Sequence, residues 1–171
     1  AFEPDPAAYE LLEANARGNG VEATLRPQPI CIGAEDGETT FHLADEPAFS
    51  GIASSGRSGL RGVVTVPLRS LDSLLGEAGH ETLDALKIDV EGFEGDVLRG
   101  ARETLRRSPD PLVMLEVSAK NLSEEARVRL LSQLTTLYAA GYTGLVLAAS
   151  PSVWRAVPTA DEAAGPPRAT R

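Results

Sequence analysis

From Lys87 to Gly95 the chain reads Lys-Ile-Asp-Val-Glu-Gly-Phe-Glu-Gly, with the charged Lys87, Asp89 and Glu91 alternating with the apolar Ile88 and Val90. Successive side chains of an extended segment point to opposite sides, so one ammonium and two carboxylates share a face. Such a trio can accept a proton, balance a positive charge or hold a hard cation. Burying these charges unpaired is costly, so they are expected to emerge at the carboxyl end of a strand, where α/β sheets place their ligands. Attraction to the N-terminus of a following helix accounts for Glu94 and in part for Glu91, but not for Lys87 or Asp89.

Other candidates are single residues. Glu3 stands at a strand end just before a helix, the position from which nucleotide-binding α/β proteins offer an acid to ribose hydroxyls. Glu116 ends the run Leu112-Val113-Met114-Leu115-Glu116-Val117 and would complete an acidic pocket with Asp89 and Glu91 if the two strands are neighbours. Ser55, beside Ser54 in a Ser/Gly/Arg-rich loop, is a candidate substrate contact, and a polar loop residue is the plainer reading. His42 and His80 read as surface residues. No glycine-rich loop of the GxGxxG or GxxxxGK type precedes a helix.

These residues need a scaffold. Asp5-Pro6 starts a helix whose stripe is Tyr9, Leu11, Leu12 and Ala16, and Gly18-Asn19-Gly20 stops it. Short strands are expected at residues 21–25 and 29–33. The turn Glu35-Asp36-Gly37-Glu38 leads into a strand at 39–43, which predicts a hairpin. A loop covers 50–62, a strand 62–68, and a short helix follows from Leu71. The charged strand ends near Glu91, and a helix runs over about 94–107. A strand at 112–117 follows, then a helix capped by Ser123 with the stripe Val128, Leu131, Leu134 and Leu137. A last strand spans 142–148. Strands alternating with helices mean an α/β fold with a mostly parallel sheet and helices on both faces, occupying residues 1–150. From Pro151 to Arg171 aperiodic Pro, Ala, Gly and Thr predict a poorly ordered tail.

Composition sets outer limits. A length of 171 residues suits one domain, and the net charge of -9 argues against non-specific nucleic-acid binding. No apolar run approaches a membrane span, and no targeting segment opens the chain, so a cytoplasmic protein is expected. Cys31 is the single cysteine and reads as a small buried hydrophobe. The chain lacks an initiating methionine and opens on Ala1-Phe2-Glu3-Pro4, which reads as the end of a strand already under way. A fragment is expected.

Taken in order, Ala1-Phe2-Glu3-Pro4, Gly33-Ala34-Glu35-Asp36-Gly37, Leu71-Asp72-Ser73-Leu74-Leu75 and Lys87 to Gly95 leading to Gly100-Ala101 resemble the FkbM family of S-adenosylmethionine-dependent methyltransferases. The resemblance runs from residue 1 to about 148. It implies a Rossmann-like class I methyltransferase sheet, here truncated at its N-terminus, acting on hydroxyl groups of sugars or natural products. It also implies that Glu3 holds the cofactor ribose, that the turn after Ile32 approaches the adenine, and that Asp89 and Glu91 face the reacting centre with Lys87 as partner. Family members carry an acid directly after the glycine matching Gly33. This chain has Ala34 there, so that contact is either lost or passed to Glu35 or Asp36. The family's first strand, which lies centrally between the strands ending at Glu3 and Glu91, would precede Ala1. Its absence implies a gap or a non-native pairing in the sheet, and a chain that is inactive alone. Two alternatives stand beside this reading: a non-catalytic methyltransferase-like remnant, and a magnesium-dependent hydrolase using Asp89, Glu91 and Glu116.

Overall fold

A computed structural model describes residues 1–52, 59–117, 122–142, 145–148 and 153–156. The chain divides into two compact units, Ala1–Leu130 and Leu131–Arg171.

In the first unit, helix α1 (Pro6–Asn19) begins where the sequence places it. The Asp5 side chain accepts from the Ala7 N–H, Pro6 takes the first turn, and the Gly20 N–H closes the last turn onto the Ala16 and Arg17 carbonyls. Its expected stripe is mostly wet: Ala16 is buried, while Leu11 is 61% exposed.

Three strands form one small sheet in the order β1-β3-β2: β1 (Cys31–Ile32), β2 (Gly37–Ala44) and β3 (Leu60–Arg69). Here the structure departs from expectation. Strand β2 does not fold back on the segment before it; it pairs antiparallel with β3, from Gly37↔Leu68 to Ala44↔Leu60. Strand β1 joins the other edge of β3 in parallel, with Cys31 opposite Leu68. Residues 22–24 form a turn rather than a strand, stitched by Thr24 N–H and Leu25 N–H onto the Val21 carbonyl. The period-2 pattern of β3 is legible in its burial: Val64, Val66 and Leu68 turn inward while Val63, Thr65 and Pro67 face out. Val66 forms the core of this sheet with Cys31 and Phe41, against which Leu43, Ile52, Val64 and Leu68 pack.

Helix α2 (Leu71–Glu77) follows β3, capped by Ser70. Strands β4 (Ala85–Ile88) and β5 (Leu112–Leu115) make a separate two-stranded parallel sheet, with Lys87 opposite Met114. The helix expected over 94–107 is two: α3 (Glu94–Gly100) and α4 (Arg102–Arg107), broken at Ala101. The break has a packing cause. A Cβ at Gly100 would overlap the Gly33 carbonyl oxygen, so the helix backbone itself rests on the turn after β1. Asp72 of α2 then supplies the cap that α4 lacks, accepting from the Glu103 and Thr104 N–H groups at 3.0 and 2.8 Å.

Helix α5 (Glu124–Ala139) spans the two units, and the Ala126 N–H donates to the Ser123 cap. Its buried residues are Ala126 and Leu130, not the expected stripe, since Val128 and Leu131 are more than half exposed. In the second unit β6 (Leu145–Ala148) pairs antiparallel with β7 (Val153–Ala156), a strand the sequence does not suggest. The described sheets are therefore three and mixed, parallel in β1–β3 and β4–β5 and antiparallel in β2–β3 and β6–β7, rather than one mostly parallel sheet. No helix among the described residues is long and apolar enough to cross a membrane.

Candidate active site

The charged run comes out as geometry demands. Lys87 is the third residue of β4, and its Nζ donates to Asp89 Oδ2 at 2.6 Å, so the two side chains do share a side of the chain. Both are about half exposed, 59% and 50%, which keeps the charges solvated where the strand ends. Gly92, at φ 90°, then turns the chain into α3. Glu94 opens that helix but is 3% exposed, and its Oε1 accepts the Gly92 N–H at 3.2 Å.

Parallel pairing of β4 with β5 brings in Glu116. Its N–H donates to the Ile88 carbonyl at 2.9 Å, one step beyond the last strand pair, Ile88↔Leu115. Asp89, Glu91, Lys87 and Glu116 all line one cavity of about 890 Å³, and Glu3 and Ile32 line it too. That volume lies within the range of small-molecule and cofactor sites. Apolar Cys31, Phe41, Leu71, Phe93 and Val97 supply the remaining surface that matters here.

The cavity is bounded by strand edges. Ala85 through Glu91 line it as seven consecutive positions, and Ala1 through Pro4 as four. Consecutive residues of both side-chain directions can face one space only when the backbone is met edge-on. Among the described residues β4 pairs with β5 alone, and the N-terminal segment is held by a single parallel bridge, Phe2↔Gln28.

Electrostatics separate the carboxyls. Burial pushes the Glu3 carboxyl above its ordinary range, opposed by the Asp5 N–H, which donates to Glu3 Oε1 at 2.8 Å, and reinforced by the Asp5 charge. Burial likewise raises Glu94, helped by the charges of Glu91 and Asp89 against the pull of its own N–H and that of Gly92. The Cys31 thiol is pushed up to about 12 by burial and by Glu3, so it behaves as the inert hydrophobe its neighbours suggest.

Not every candidate joins the cavity. Glu35 and Asp36 do not line it. The Asp36 carboxylate is engaged elsewhere: it accepts the Ser70 N–H at 2.7 Å, which holds it below the usual carboxylate range, and it pairs with Arg69 at 3.3 Å. Ser55 lies outside the described residues. The wall supplied by Pro47, Phe49, Ser50, Gly51 and Ile52 was not anticipated, because a 3-10 turn (Pro47–Phe49) inside a loop carries no periodic signal. Among the described residues no group of three or more His, Cys, Asp or Glu is placed to hold a metal ion. The set does fit S-adenosylmethionine: carboxylates to face a sulfonium, and apolar and aromatic surface beside Glu3 to take a nucleoside.

Residues 1–143 match the family model described as the methyltransferase FkbM domain. The 2-O-methyltransferase NoeI of Sinorhizobium fredii (strain NBRC 101917 / NGR234) is 33% identical over 121 residues, covering 63% of this chain and 49% of that protein. The chain thus spans about half the length of this curated relative. No solved structure matches.

Proposed function

The chain belongs to the methyltransferase FkbM domain family, and from that premise we propose that it serves S-adenosylmethionine-dependent O-methylation of a hydroxyl on a sugar or natural product. The observation that carries this reading is the convergence of Glu3, Asp89, Glu91 and Glu116 on one cavity from three separate segments of the chain. The relative named as a 2-O-methyltransferase supports a hydroxyl acceptor of small-molecule or glycan type.

Bound S-adenosylmethionine supplies an electrophilic methyl carbon on a positively charged sulfur. The residues of the chain do the rest. Glu3, half-buried and steadied by the Asp5 N–H, is the acid for the ribose hydroxyls. Ile32, at the end of β1, would offer apolar surface to the adenine, and the turn at Gly33 that follows it does not line the cavity. Asp89 and Glu91, which line the cavity, would balance the sulfonium charge, and one of them would take the proton from the attacking hydroxyl as general base. Lys87 orients Asp89 through its ion pair. Alignment of oxygen, methyl carbon and sulfur provides most of the acceleration, which is why rigid placement of the acids matters.

The test is transfer of a labelled methyl from S-adenosylmethionine onto a panel of hydroxylated sugars by the catalytically active form of the protein. Asp89→Ala should cut turnover by about 100-fold or more. Unchanged turnover would remove Asp89 from the mechanism, and label on nitrogen or carbon rather than oxygen would overturn the acceptor class.

A further inference from the structure

A helix cap is ordinarily wet, but the Asp5 side chain is 1% exposed. Its Oδ1 caps α1 through the Ala7 N–H at 2.9 Å. Its Oδ2 does something unrelated to the helix: it accepts from Arg61 Nη2 at 2.7 Å and from the Ser50 hydroxyl at 3.4 Å. The Ser50 oxygen accepts in turn from the Ala44 N–H at 3.0 Å.

The residues held this way flank the excursion that leaves the β2–β3 hairpin. Ala44 ends β2, Ser50 follows the 3-10 turn, and Arg61 is the second residue of β3. Asp45 N–H shuts the base of the excursion onto the Gly59 carbonyl at 2.8 Å. Phe49, Ser50, Gly51 and Ile52 from this excursion line the cavity that Glu3 also lines. Through its backbone N–H Asp5 holds Glu3, and through its side chain it holds Ser50 of the same cavity.

Capping alone does not require this residue, because Asn, Ser or Thr would serve α1 about as well. Among the described residues only Arg61 requires a negative charge at position 5. A buried carboxylate that loses its cation is penalised far more than an exposed one, so the pair cannot be dismissed as a surface ion pair.

We propose that Asp5 is a positioning residue: through Arg61 and Ser50 it locks the Phe49–Ile52 wall onto the turn that carries Glu3, and so sets the width of the cleft for its ligand. The identity of that ligand rests on the methyltransferase reading; the clamp itself does not.

Asp5→Asn keeps the cap and removes the charge, Arg61→Gln removes the cation, and Arg61→Lys retains it. Amide hydrogen exchange of Gly51, whose N–H donates to the His42 carbonyl at 3.0 Å, needs no ligand. Asp5→Asn and Arg61→Gln should each speed that exchange about tenfold, the double variant no further, and Arg61→Lys should stay within about threefold of the parent. With the active form and an acceptor from the label-transfer panel, the KM for S-adenosylmethionine should rise about tenfold at a kcat within about twofold. Unchanged exchange at Gly51, additive effects in the double variant, or faster exchange with an unchanged KM would each overturn the clamp. If the parent transfers no methyl group at all, the functional reading fails and the exchange data alone decide the clamp.

Discussion

Glu94 shows how differently two acids of one motif can behave. Lys87 and Asp89 stay in water and pair; Glu94, five residues on, is carried inside by the turn at Gly92. Its carboxyl is raised above the ordinary 4.5 chiefly by burial, so the folded state holds this proton more tightly than the unfolded chain does. The sign follows from linkage. Stability from this group is fully present below the unfolded value and is lost as pH rises through the raised folded value. Glu94→Gln cannot ionise, so it should gain stability relative to the parent as pH rises above the ordinary 4.5, read as the difference in urea midpoints. Parallel curves for the two proteins across that window would show that Glu94 ionises in the fold as freely as in the unfolded chain. At this scale the sequence was highly legible, because alternation along a strand places Lys87 and Asp89 together whatever the rest of the chain does. Only the fold buries Glu94, by laying α3 where backbone can approach backbone at Gly100.

Elements were legible where local chemistry starts or stops them, as at Asp5-Pro6, Gly20 and Ser123. They were not legible where a neighbour decides. The split of α3 from α4 depends on contact with Gly33, sixty-odd positions away, and on the Asp72 carboxylate reaching over from α2. A matched pair of substitutions tests this. Gly100→Ala has to push its methyl group into backbone, and should lower stability by about 1–3 kcal/mol in urea denaturation. Gly76→Ala, in α2 with nothing within 4 Å of the added carbon, should raise it by about 0.5–1 kcal/mol. If both substitutions stabilise, the close packing of α3 on the β1 turn is wrong. The pairing of β2 with β3 belongs to the same class of misreading. The turn at residues 35–38 looked sufficient for a hairpin with the preceding strand, but β3 offers ten residues of partner where β1 offers two.

Across the whole molecule, one open feature has consequences for binding. The edge of β4 and the segment Ala1–Pro4 border the cavity without a strand between them among the described residues, so Glu3 and Asp89 sit on walls joined only indirectly. A site whose halves are free to shift must spend binding energy on ordering itself. The 171-residue chain alone is therefore expected to bind S-adenosylmethionine weakly and to show little activity. Isothermal titration that reveals micromolar affinity would contradict this. The amino-acid sequence by itself determined which residues could do chemistry and where α1, α2 and α5 begin, because alternation, capping and charge act between near neighbours. Tertiary structure alone decided that Glu3, Asp89 and Glu116 share one cavity, that Asp36 is occupied by Ser70 and Arg69, and that Asp5 reaches Arg61. Those outcomes hang on which strand edges meet and how closely two backbones can pass, and long-range packing of this kind leaves no periodic trace in the order of the residues.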